Sequence, residues 1–100
     1  MTQTLSPFSG EKILIADDDD VIAQLAALLL QRRGFRVFRA ADGEECLRMV
    51  AEHRPALVLL DYMMPVMNGL DALKLIRAQY SDSYVVMFTG RGSEEVAVEE

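Results

Sequence analysis

A chain of 100 residues has room for one hydrophobic core, and with 51% hydrophobic and 26% charged residues it has the balance of a folded domain, not of a disordered tail. Ten basic against sixteen acidic side chains leave a net charge of −6, which argues against direct nucleic-acid binding by a basic surface. The longest apolar stretch, Val21 to Leu30, is broken by Gln24 and falls well short of the ~20 residues of a membrane span.

Met1 to Gly10 carries Thr, Gln, Ser, Pro and Gly without periodicity and reads as a flexible leader, with no secretory pattern. Ile13 to Ala16 is a short apolar run stopped by four aspartates, which suits a strand buried on both faces of a parallel sheet. Val21 to Arg33 reads as a helix, with Val21, Ile22, Leu25, Leu28 and Leu29 on its apolar face and Gly34 at its C-terminal cap. Phe35 to Ala40 alternates like a strand near a sheet edge. Asp42 opens a second helix, with Glu45 three residues on in a capping box and Pro55 beyond its end. Ala56 to Leu60 is a third buried strand, closed by Asp61. A loop with Pro65, Asn68 and Gly69 leads to a helix from Leu70 to Gln79. Tyr84 to Phe88 is the fourth strand, closed by Thr89, and Ser93 to Glu100 reads as the start of a fourth helix.

Strict alternation of strands and helices implies a doubly wound parallel sheet with helices on both faces. In such sheets ligands bind outside the carboxyl ends of the strands. Asp17 and Asp18 follow the first strand, Asp61 the third and Thr89 the fourth, so folding is expected to gather three carboxylates and a hydroxyl at one rim. Clustered carboxylates repel one another, and a hard divalent cation such as Mg²⁺ relieves the repulsion with oxygen ligands. A carboxylate there could also form an aspartyl-phosphate. Asp19 and Asp20 suit helix capping better, since aspartate favours the positive end of a helix. Cys46 reads as a small core residue on the second helix and His53 as a partner of that helix's C-terminal dipole. The lone cysteine excludes an internal disulfide and suits a cytoplasmic protein.

Three segments together resemble the receiver domain of two-component response regulators: Ile13-Leu14-Ile15-Ala16-Asp17-Asp18-Asp19, Leu59-Leu60-Asp61-Tyr62-Met63-Met64-Pro65-Val66-Met67-Asn68-Gly69, and Val86-Met87-Phe88-Thr89-Gly90. The resemblance covers residues 11–100 and implies a flavodoxin-like fold. It implies that Asp61 is the phosphoacceptor and that Asp17, Asp18, Asp61 and the backbone carbonyl of Met63 hold Mg²⁺. Thr89 is implied as the switch hydroxyl, with Pro65 and Gly69 shaping the loop after the acceptor. It also implies a sensor histidine kinase or phosphotransfer protein as donor, self-modification without turnover of an external substrate, and a fused effector or kinase domain as a further partner. Oligomeric state stays open, a dimer included. Relative to that family the chain is read as ending before the fifth strand, whose lysine pairs with the phosphoryl group, and before the fifth helix.

Two other readings compete. Asp17-x-Asp19 with Thr89 is similar to motifs of haloacid-dehalogenase-type phosphatases, with Asp17 as nucleophile and Asp19 as general acid. That reading leaves Asp61 and the Met-Pro loop unexplained. A receiver-like interaction module without phosphorylation is the other.

Overall fold

A computed structural model describes residues 10–80, 82–88 and 96–99. The elements run β1 (Lys12–Ala16), α1 (Asp20–Arg32), β2 (Arg36–Ala40), α2 (Gly43–His53), β3 (Leu57–Asp61), α3 (Gly69–Gln79), β4 (Tyr84–Phe88) and β5 (Val96–Glu99). The sheet order is β2-β1-β3-β4-β5, and β1 to β4 are parallel.

Strand side chains alternate between two cores. Ile13 and Ile15 pack with Ala23 and Ala27 of α1. Leu14, Val58, Leu60 and Val85 face the other way, against Cys46 and Val50 of α2 and Ala72, Leu73 and Ile76 of α3. Burial on both faces explains why these strands are continuous apolar runs.

The helix ends follow local chemistry. Asp19 caps α1, accepting hydrogen bonds from the Val21 and Ile22 amides at 3.0 and 3.1 Å. Asp42 accepts from the Glu45 amide at 2.8 Å while Glu45 accepts from the Ala41 amide at 2.8 Å, a reciprocal cap of the expected kind. Past α1, Gly34 adopts φ +99°, and the Gly34 and Phe35 amides return to the Gln31 and Leu30 carbonyls. This Schellman arrangement needs a left-handed residue, which glycine supplies without steric cost.

Two expectations are corrected. The face of α1 that packs is the alanine face, while Val21, Ile22, Leu25, Leu28 and Leu29 are half-exposed or more. The helix is apolar almost all round, and its small side chains let it sit close to the sheet. The reading of a helix over Ser93–Glu100 also fails: Val96–Glu99 is a strand, antiparallel to β4, with Phe88 opposite Val96 and Val86 opposite Val98. Two β-branched residues in four lower helix propensity, and the outer edge of β4 offers backbone groups to pair. Ser93 to Glu95 lie outside the described residues, as does the leader up to Ser9. The Gly10 amide donates to the Gly34 carbonyl at 2.9 Å. His53 stacks on Phe38 at 4.0 Å between ring centroids, so it packs as well as ending α2.

Candidate functional site

Strand register brings the acidic residues together. Ala16 pairs with Leu60, so Asp17 and Asp61, one step further along each strand, emerge side by side. This is the point where the sheet order reverses, since β2 lies on one side of β1 and β3 on the other. One carboxylate oxygen each from Asp17, Asp18 and Asp61 lie within 4.8 Å of one another. They line a pocket of about 390 Å³ together with Asp19, Ile22, Met63 and Phe88.

Asp17 and Asp61 are only 4% and 5% exposed, whereas Asp18 is open to solvent. Asp17 Oδ1 accepts from the Asp19 amide at 2.9 Å, and Asp61 Oδ1 from the Met63 amide at 3.2 Å. Burial pushes the Asp61 carboxyl up to about 6, helped by the charges of Asp17 and Asp18 and opposed by the Met63 hydrogen bond. Buried, mutually repelling carboxylates presenting only oxygen donors fit a hard divalent cation, and that donor set fits Mg²⁺.

The structure divides the four aspartates. Asp19 is engaged at the start of α1, and Asp20 pairs with Arg39 at 3.0 Å. Asp17 and Asp18 face the pocket with Asp61. The phosphatase reading needs Asp19 as a free acid beside Asp17. Asp19 Oδ1 instead accepts two α1 amides, and Asp61, which that reading omits, shares the pocket. Met63 lies on the pocket wall, and its amide is the group that donates to Asp61 Oδ1. Thr89 lies outside the described residues, with Gly90 and Arg91.

The loop after Asp61 is folded tightly onto it. The Gly69 amide donates to the Tyr62 carbonyl at 2.9 Å, and a Cβ at Gly69 would meet the Asp61 carbonyl and lie 2.8 Å from the Tyr62 Cα. Glycine is required here by close approach. Met64 and Met67 pack on the core, while Met63 is 45% exposed. Sequence reasoning did not single out Ile22 and Phe88 as pocket walls. Their positions, three residues past Asp19 and opposite Asp61 in the β3–β4 register, were the available signal.

A parallel sheet of this order with an acidic pocket at its switch point defines a receiver-like α/β protein. The family model described as "Response regulator receiver domain" matches residues 13–100, and the chain belongs to that family. It is 41% identical over 81 residues to the DNA-binding response regulator MtrA of Mycolicibacterium smegmatis, covering 81% of this chain and 35% of that protein. It is 46% identical over 83 residues to the transcriptional regulatory protein CpxR of Escherichia coli K12, covering 83% and 35%. The chain thus spans about a third of the length of these curated relatives. Among solved structures, the receiver domain of the Francisella response regulator 1452 superimposes with a TM-score of 0.77 at 30% identity, over 85% of this chain and 70% of that one. The response regulator TrrA of Thermotoga maritima, solved in complex with Mg²⁺-BeF, gives 0.76 at 32% identity, over 82% and 71%.

Proposed function

We propose that this receiver domain, residues 11–100, accepts a phosphoryl group on Asp61 from a histidine kinase or phosphotransfer protein. The observation that carries the reading is the meeting of Asp61 with Asp17 and Asp18 at the carboxyl ends of β1 and β3. An Asp61 carboxylate oxygen attacks the phosphorus of the donor's phosphohistidine. The new P–O bond forms as the P–N bond breaks, and the imidazole departs with the electron pair of that bond. Asp61 is held for this by the Met63 amide on Oδ1, which also favours the ionised form that attacks. Asp17, Asp18 and Asp61 would hold Mg²⁺, with the Met63 carbonyl as a further ligand; when bound, the cation neutralises charge on the transferring phosphoryl group.

The chain acts on itself and turns over no external substrate. The acyl phosphate adds negative charge and acceptor oxygens at the rim, and Thr89 supplies the hydroxyl that answers it. The exposed apolar stripe of α1 reaches the pocket through Ile22, so a donor docked on that stripe sits over Asp61. A fused effector or kinase domain reads the resulting change, and the setting is the cytoplasm.

Incubation with acetyl phosphate and Mg²⁺, followed by intact mass, tests the reading. One phosphoryl adduct on the wild-type chain and none on Asp61→Asn is the expected result. Equal labelling of both chains would overturn it.

A further inference from the structure

The loop from Tyr62 to Asn68 carries an unusual backbone. Val66, a β-branched residue, has φ +70°, and the Met67 amide donates back to the Pro65 carbonyl at 2.7 Å across it. Left-handed backbone at a branched residue is costly and persists only where the surroundings enforce it. The first residue of α2 lies against this turn. Gly43 is buried, and a Cβ there would meet the Met67 carbonyl oxygen and lie 2.6 Å from the Met67 Cβ. The φ of Gly43 lies outside the left-handed range, so what this position demands is space.

The loop has little slack to absorb a push at Met67. At one end the Tyr62 amide is tied to the Phe88 carbonyl at 2.8 Å, and at the other Gly69 rests against the Asp61 carbonyl. Between these anchors lies Met63, whose amide holds Asp61 Oδ1.

We propose that Gly43 is a positioning residue for the acceptor site: its bare Cα seats the Met67 turn and so fixes the loop that places Met63 on Asp61. The link joins α2 to the chemistry at β3, and it rests on the reading of Asp61 as phosphoacceptor. A side chain at position 43 displaces Met67, and the displacement passes to Met63 because both loop ends are pinned.

The test compares Gly43→Ala, Val50→Ala and the double variant Gly43→Ala with Met67→Gly in the full chain. Val50 is fully buried in the same helix, seven residues past Gly43, so its truncation loosens α2 away from position 43. In the metal-free protein, Gly43→Ala moves the Met63 amide resonance and Val50→Ala leaves it in place. Supporting groups around a metal site cost about 10- to 100-fold in affinity when disturbed, and Gly43→Ala is expected to weaken Mg²⁺ binding by about tenfold. Acetyl phosphate labelling slows in parallel, and Met67→Gly, which clears the Cβ and Cγ contacts and lets the backbone turn its carbonyl oxygen away, restores part of both losses.

An unmoved Met63 resonance with wild-type Mg²⁺ affinity overturns the proposal. So does a loss that Val50→Ala reproduces and Met67→Gly does not repair. If Gly43→Ala does not fold, Met67→Gly alone serves, since it removes the side-chain part of the contact and frees the turn; an unmoved Met63 resonance then overturns the proposal. A wild-type chain that takes no phosphoryl group refutes the phosphoacceptor reading instead, while the metal-free resonance still judges Gly43.

Discussion

Replacing Asp61 by asparagine should stabilise the metal-free chain. The folded state raises the Asp61 carboxyl from its ordinary 3.8 to about 6, first through burial and then through the charges of Asp17 and Asp18. At about 1.4 kcal/mol per tenfold change, that rise corresponds to about 3 kcal/mol of destabilisation once the group is ionised. The pocket meets water on one side, which weakens the repulsion and leaves about 2 kcal/mol. The sign follows from linkage. The fold binds this proton more tightly than the unfolded chain does, so the penalty is absent below pH 3.8, grows between 3.8 and about 6, and is complete above that. Asparagine keeps an oxygen for the Met63 amide and carries no charge. Urea unfolding in EDTA at pH 8 should therefore show Asp61→Asn more stable by about 2 kcal/mol, with the gap shrinking to under about 1 kcal/mol at pH 4. A variant less stable than wild type at pH 8, or a gap that does not change with pH, would refute the electrostatic reasoning.

Other outcomes can be checked alongside. Mg²⁺ at about a hundred times the wild-type dissociation constant should stabilise the wild-type chain by about 2.7 kcal/mol and Asp61→Asn by no more than about 1.4 kcal/mol, as read by thermal unfolding with and without EDTA. Cys46 is fully buried, and burial, with the Asp42 charge adding to it, pushes its thiol up to about 12. It should resist thiol reagents at pH 8 in the folded protein and react at once in urea, whereas rapid native labelling would contradict this packing. Asp42→Ala removes the cap of α2 and should cost about 1 kcal/mol by urea unfolding. Ser83→Ala deprives the Pro55 carbonyl of a buried 2.7 Å hydrogen bond and should cost about 1–3 kcal/mol in the same assay.

Much of the fold and site was legible because local chemistry and periodicity agreed. The apolar runs Ile13–Ala16 and Leu57–Leu60 are bounded by aspartates, which places those aspartates at strand ends and hence at one rim. Capping preference separated Asp19 and Asp20 from Asp17 and Asp18; Asp19 does cap α1, while Asp20 sits in its first turn and pairs with Arg39. The orientation of α1 was not legible. Its apolar residues encircle the helix, so the face read from periodicity, Val21, Ile22, Leu25, Leu28 and Leu29, is the exposed one, and Ala23 and Ala27 are buried instead. The strand at Val96–Glu99 depends on the free edge of β4, a tertiary circumstance that no local window contains. Gly43 carries no local signal beyond its place after a helix cap, because the loop that lies against it comes from more than twenty positions away.

The central claim is that Asp17, Asp18 and Asp61 act as one cation site, and calorimetric titration with Mg²⁺ tests it most directly. The wild-type chain should bind one ion, and Asp17→Asn and Asp61→Asn should each weaken binding by at least about tenfold. Undiminished binding by Asp61→Asn would show that the acceptor aspartate stands outside the site and would contradict the account.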